Sequence, residues 1–420
     1  MLRKSSTSAS SSVLTPSRLS SYWRAHVLPT MALRLQQQLG MFPLELSGVV
    51  PHPWGVLALL LRSPSKLLDG LTSAHHRYVD RVTATVTQNP VLFPNGFFCD
   101  GWGDINTPQR VRELLQSKRM SEVNELAPQD LSWSNKQLLR GARACIQEGT
   151  FKSTLPNAKA FLPSASLDAY CELVTPLEWE TTTPPQSHAA PVHGSPNRPL
   201  VVLLPGTGEH GFVHRRTSIG IPLARKGVAT LILEGPFYGR RKPSDQKGSK
   251  LRRVSDLPVL GQATIEEAKS LLAYFQKHHG YSHIVIAGSS MGGLHAAMVA
   301  SVFPGEIGTT AWLAPPSAVP VFADGLLSAS CNWNSLYKQH ELQMLDKMLM
   351  GHGVAASSEA EQESHFVDED PRMRTKWKPA QFRYLKTGHV TGILLEQEGF
   401  RKTILEVIDT LRTKKAVAAE

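Results

Sequence analysis

Cysteine is scarce in this chain, with 4 in 420 residues. Cys99, Cys145, Cys171 and Cys331 stand far apart. They match neither a zinc-ligand spacing nor a Cys-x-x-Cys redox pair, and their sparseness points to a reducing compartment. Long apolar runs are missing too. The longest candidate, Val56-Leu57-Ala58-Leu59-Leu60-Leu61, is ended by Arg62. A membrane-spanning helix needs ~20 apolar residues, so none is expected. Acidic residues are absent before Glu45, although Arg3, Lys4, Arg18, Arg24 and Arg34 all precede it.

That first stretch is rich in serine (Ser5-Ser6, Ser8, Ser10-Ser11-Ser12, Ser17, Ser20-Ser21). Basic, serine-rich and acid-free is the composition of an organelle transit peptide, and it lacks the apolar core of a secretory signal. The expectation is a leader and extension over 1–65, with the mitochondrion as destination and the cytoplasm as the alternative. The whole chain carries a formal net charge of +10. Arg240-Arg241-Lys242, Lys247, Lys250 and Arg252-Arg253 form a dense basic segment with only Asp245 opposing it. Such a segment suits an anionic head group or membrane surface, or is simply a solvated loop. Nucleic-acid binding needs a recognisable module beside the charge, and none is present. No cofactor or metal site is expected.

What the chain does have is Gly288-Ser289-Ser290-Met291-Gly292. The apolar run His283–Ala287 before it reads as a buried strand, and Leu294–Ala300 after it as a helix. Strand, G-x-S-x-G, helix is the nucleophile elbow, a sharp turn that lifts a serine hydroxyl above a parallel sheet. Glycines at 288 and 292 leave the room that strained backbone needs. The helix N-terminus points free N–H groups and a positive dipole end at the serine, which favours a developing oxyanion. Ser290 is therefore the candidate nucleophile.

A serine nucleophile needs an oxyanion hole, a base and a group that orients the base. The hole is expected from the Met291 backbone N–H and from the loop Pro205-Gly206-Thr207-Gly208, with Thr207 as donor and Gly208 next. The base should follow the serine in the chain, on a loop after the last strand. His389 satisfies this: it follows an expected strand, Gln381–Leu385, and precedes an expected helix, Arg401–Arg412. The acid should lie between about 350 and 385, where no apolar run long enough for a buried strand exists. Asp370, before Pro371, is the first candidate; Asp368 and Asp324 are the others.

Apolar spacing predicts helices over Val111–Lys118, Asn135–Glu148, Ile219–Lys226, Thr264–His278 and Ser335–Met350. Strands are expected over Ala169–Thr175, Leu200–Leu204, Val228–Leu233 and Thr309–Leu313. The proline-rich stretch 181–199 reads as a loop. Strand and helix alternate from 200 to 313, so the sheet should be mostly parallel and covered on both faces.

Beyond the elbow, several strings carry a resemblance. They are Leu204–His210, Arg215-Arg216-Thr217, Leu233–Gln246, Val254-Ser255-Asp256-Leu257, Asn332-Trp333, Gly388-His389 and Asp100-Gly101-Trp102-Gly103. In order and spacing they resemble alpha/beta hydrolases of the kind called alpha/beta hydrolase domain-containing protein 18, over roughly 70–420. The resemblance implies one α/β-hydrolase domain, here 66–420, with Ser290, an acid and His389 as triad. In that family a strand and an Asp-bearing loop precede the last strand. This chain is short of both, so a sheet lacking its penultimate strand is expected. The functional expectation is a serine hydrolase cleaving a carboxylic ester, with a lid at 319–350 whose apolar inner face suits a lipid. The alternative is a silent scaffold of the same fold that has lost its triad acid.

Overall fold

The computed structural model describes residues 95–117, 130–181, 198–278, 281–323, 327–337 and 387–417, with single positions at 76, 78, 80, 82, 128, 325, 381, 383 and 385. All lie in one unit of the chain, Asp69–Glu420. The leader expected over 1–65, residues 182–197 of the proline-rich stretch, and 338–380 with Asp368 and Asp370 lie outside the described residues, as does Asp324.

Among the described residues eight strands form one sheet: β1 (Ser132–Trp133), β2 (Gln137–Leu139), β3 (Ala144–Lys152), β4 (Asp168–Pro176), β5 (Pro199–Leu204), β6 (Ala229–Leu233), β7 (His283–Ser289) and β8 (Gly308–Trp312). Their order is β1-β3-β4-β6-β5-β7-β8, with β2 also on β3. The strands from β6 to β8 run parallel, in the registers Leu203↔Ile232, Leu203↔Ala287 and Ala287↔Thr310. The remaining strands join antiparallel. This mixed sheet with helices on both faces is the α/β-hydrolase architecture. Every residue of β5 and β6 is buried, as continuous apolar runs in a doubly covered sheet should be.

The main helices are α1 (Thr107–Ser117), α2 (Asp256–His278), α3 (Met291–Val302), α4 (Ala318–Ala323), α5 (Trp333–Tyr337), α6 (His389–Leu395) and α7 (Gln397–Val417). Helix α2 packs Ile265, Ala268, Leu271, Leu272 and Phe275 on one face of the sheet with Leu200, Val202 and Ile286. It begins two turns before the expected Thr264. Gly261, which weakens the helical pattern, is there because His295 of α3 crosses beside it: a Cβ would lie 3.1 Å from His295 Nε2. Helix α7 covers the other face, stacking Phe400 on Trp312 with ring centroids 5.4 Å apart.

Two expectations are corrected. Residues 135–148 are not a helix but a hairpin, β2 and the start of β3, joined by the turn Arg140–Ala142. Leu138 faces Cys145 and Leu139 faces Ala144. Arg143 takes a left-handed conformation, φ 54°, which breaks any helix there. Among the described residues the strand expected over 381–385 is also absent: positions 381, 383 and 385 carry no strand. Leu385 instead packs against the cluster of Trp312 and Phe400. Among the described residues the sheet ends at β8. Of the amphipathic helix expected at 335–350, only Trp333–Tyr337 falls within the described residues.

Candidate active site

The site starts where β7 stops. Ser290 adopts φ 55°, ψ −125°, outside the regions open to an ordinary L-residue. Such geometry costs of order 1–3 kcal/mol and persists only where the surroundings impose it. They do so here. The Ser290 N–H donates to Trp312 O at 2.9 Å, and Ser290 O accepts from the Gly293 and Leu294 N–H groups at 2.9 and 3.1 Å. Gly292 allows the start of α3 to press on the end of β5, since a Cβ there would sit 2.6 Å from Leu204 O and 2.8 Å from Pro205 O.

His389 comes to this serine from 99 residues further along. Its Nε2 lies 2.9 Å from Ser290 Oγ. His389 is the first residue of α6, following Gly388. The pair expected from chain order is thus brought together.

The loop after β5 stands beside the elbow, because a Cβ on Gly206 would lie 3.4 Å from Ser289 O. Glu209 shapes this loop. It accepts the Gly206 N–H at 2.8 Å and pairs with Arg215 Nε at 3.2 Å and His214 Nδ1 at 3.1 Å. Burial pushes its carboxyl up, but Arg215, His214 and the Gly206 N–H outweigh this and hold it below the usual range. The same hydrogen bond to Glu209 pulls His214 up, against its partial burial. Arg215 also donates to Leu203 O and Leu233 O, tying the ends of β5 and β6 together. With the Gly206 N–H committed to Glu209, the N–H groups of Thr207 and Met291 are used in no hydrogen bond among the described residues.

The expected acids do not enter this picture, because Asp324, Asp368 and Asp370 lie outside the described residues. One carboxylate that the sequence gave no reason to single out does stand beside His389. Asp80 accepts the His389 backbone N–H at 2.6 Å, 309 positions away. The only local hint of it is Gly388, which has no side chain to cap the helix it precedes.

Met291 packs against a buried apolar cluster that includes Phe97, Phe98, Leu251, Leu260 and Leu336 of α5, as do Phe322 of α4 and Leu327. Phe322 meets the Phe97 and Phe98 rings at centroid distances of 5.2 and 5.1 Å. The segment 95–102 clasps this region: Phe97 exchanges backbone hydrogen bonds with Ser330 and Asn332, and the Trp102 indole donates to Leu336 O. Asp100, from the Asp100-Gly101-Trp102-Gly103 string, pairs with Arg252 at 2.6 Å.

Much of the basic segment is spent internally. Arg241 is fully buried and forks onto Glu267 of α2, with Nη1–Oε2 at 2.7 Å and Nη2–Oε1 at 2.6 Å. Arg240 pairs with Glu148 at 2.8 Å and lies over the Tyr170 ring. Arg252 adds a contact to Asp245.

A family model described as alpha/beta hydrolase domain containing 18 matches residues 95–370, about two thirds of the chain. The chain belongs to this family. It is a hydrolase by family, and the strand order and helix placement agree with the fold. Both His389 and Asp80 lie outside the matched span.

Solved structures of similar fold include several esterases. A putative acetyl xylan esterase from Bacteroides fragilis is 12% identical, with a TM-score of 0.31, 53% of this chain covered and 56% of that one. The acetyl xylan esterase from Paenibacillus sp. R4 is 14% identical, with a TM-score of 0.37, 58% of this chain and 71% of that one. Esterase B from Lactobacillus rhamnosis is 15% identical, with a TM-score of 0.34, 75% of this chain and 96% of that one. The chain thus spans little more than half the length of the first of these. The family match and the sheet order, not these likenesses, carry the fold. Among the described residues no helix is long and apolar enough to cross a membrane, and no cluster of His, Cys, Asp or Glu has metal-site geometry.

Proposed function

We propose that this hydrolase cleaves a carboxylic ester through an acyl-enzyme on Ser290. The observation that carries the reading is the 2.9 Å contact of His389 Nε2 with the hydroxyl of a serine held at φ 55°. That is hydrogen-bond reach for a general base and its nucleophile.

The steps are those of a serine nucleophile with a histidine base. Ser290 Oγ attacks the ester carbonyl as its proton passes to His389 Nε2. The carbonyl oxygen gains the negative charge, and the N–H groups of Thr207 and Met291 are the donors for it. The positive end of α3 lies on the same side. Collapse expels the alcohol, which takes the proton from His389. Water then attacks the acyl-serine with His389 again as base, releasing the acid and restoring Ser290. The acid that orients His389 is assigned to Asp370, with Asp368 and Asp324 as the alternatives. The apolar cluster that Met291 packs against supports an acyl group or alcohol of apolar character, a lipid ester among them.

A fluorophosphonate probe tests the reading. Wild-type protein should be labelled and Ser290→Ala should not. A well-folded wild type that resists the probe contradicts it, and then the silent scaffold is the better account.

A further inference from the structure

Helix α6 has no cap of its own. Its first residue is His389, and the residue before it is Gly388, which offers no side-chain acceptor. A helix start leaves several N–H groups without partners, and these need an acceptor when buried. Here three of them converge on one carboxylate. The His389 N–H donates to Asp80 Oδ2 at 2.6 Å, and the Val390 and Thr391 N–H groups donate to Asp80 Oδ1 at 3.2 and 3.4 Å. Asp80 is 7% exposed, so little water competes for it.

The fit is close on every side. A Cβ at position 388 would collide with the Asp80 carboxylate, so only glycine lets the two approach. The Gly388 N–H is held by Thr391 Oγ1 at 2.9 Å. Hydrogen bonds to an ionised acceptor are shorter and roughly twice as strong as neutral ones. The residue that receives the shortest of these bonds is the residue whose imidazole reaches Ser290 Oγ. One end of His389 is therefore anchored by Asp80 and the other meets the serine.

We infer that Asp80 is a positioning residue for His389, holding its backbone, so that the region before the family-matched span helps to set the placement of the base. The inference rests on the reading of Ser290 and His389 as nucleophile and base. Asp80 touches the backbone of His389, not the reacting atoms, and acts through where it holds the imidazole. A misplacement near 1 Å by a change away from the chemistry can cost about 10²-fold in rate.

The test uses the full chain and a fluorophosphonate, with the saturating labelling rate and the probe's apparent affinity measured separately. Asp80→Ala should lower the saturating rate about 10- to 100-fold while the affinity stays within about twofold. Asp80→Asn, which keeps a carbonyl acceptor but loses the charge, should fall between Asp80→Ala and wild type. If Asp80→Ala does not fold, Asp80→Asn decides alone by the same two numbers. A wild-type saturating rate in the variant overturns the inference. So does a loss of affinity in step with a fall in melting temperature, which would mark Asp80 as a purely structural cap. If wild type is not labelled, or Ser290→Ala still is, the catalytic reading itself fails and the inference falls with it.

Discussion

Gly292→Ala probes the join between the elbow and the oxyanion loop. The added Cβ would stand 2.6 Å from Leu204 O and 2.8 Å from Pro205 O. Both are backbone atoms, so no side chain can swing away. Ordinary carbon–oxygen contact lies near ~3.3 Å, so relief requires α3 and the end of β5 to part by roughly 0.5 Å or more, at an overpacking cost of about 1–3 kcal/mol. The parting separates the Met291 N–H from the Thr207 N–H, the two donors assigned to one oxygen. At about half the displacement that costs 10²-fold, labelling by the fluorophosphonate should slow on the order of 10-fold. Chemical unfolding should show the stability loss in the same sample. The control is Gly227→Ala. Gly227 has φ +77° with open space around it, so alanine there should cost about 1–2 kcal/mol without slowing labelling. Gly292→Ala at the wild-type labelling rate would refute the geometry.

Thr207→Ala retains the backbone donor and should label within about twofold of wild type, while Thr207→Pro removes the N–H and should slow labelling by about 10²–10³. Equal rates for the two would remove Thr207 from the oxyanion hole. Glu267→Ala leaves the fully buried Arg241 without its partner, and should destabilise the fold by about 3–5 kcal/mol in denaturant titration. His295 is buried and its pKa is lowered to about 4 by that burial. The unfolded chain binds this proton near pH 6.5 and the folded one does not, so stability is full above 6.5 and falls as the pH drops toward 4. The loss between pH 7 and pH 5 should be about 2 kcal/mol, rising to about 3 kcal/mol by pH 4, and should vanish in His295→Leu, as unfolding at these three pH values will show.

The parallel half of the molecule was open to sequence reading because burial on both faces writes itself as unbroken apolar runs, such as Leu200–Leu204 and Ile284–Ala287. The elbow was open for a different reason: its glycines are forced by backbone collisions, Gly288 with Gly292 across the turn and Gly292 with the end of β5. The leading antiparallel edge was not. Leu138, Leu139, Ala142 and Ile146 satisfy a helical period as well as a hairpin, and the left-handed position falls on Arg143 rather than on Gly141 of the turn. Arg241 looked like part of a charged surface because its partner Glu267 lies 26 positions away on another element. Asp80 was hidden most deeply. Nothing in its neighbourhood marks it, and its role exists only through backbone groups 309 and more residues distant.

The central claim is that Ser290 is a nucleophile activated by His389. Peptide mass spectrometry of the full chain after fluorophosphonate treatment tests it most directly. The account predicts a single adduct on the peptide carrying Ser290, lost in Ser290→Ala and formed at least about 10²-fold more slowly in His389→Ala. An adduct on another residue, or none on folded protein, would contradict it.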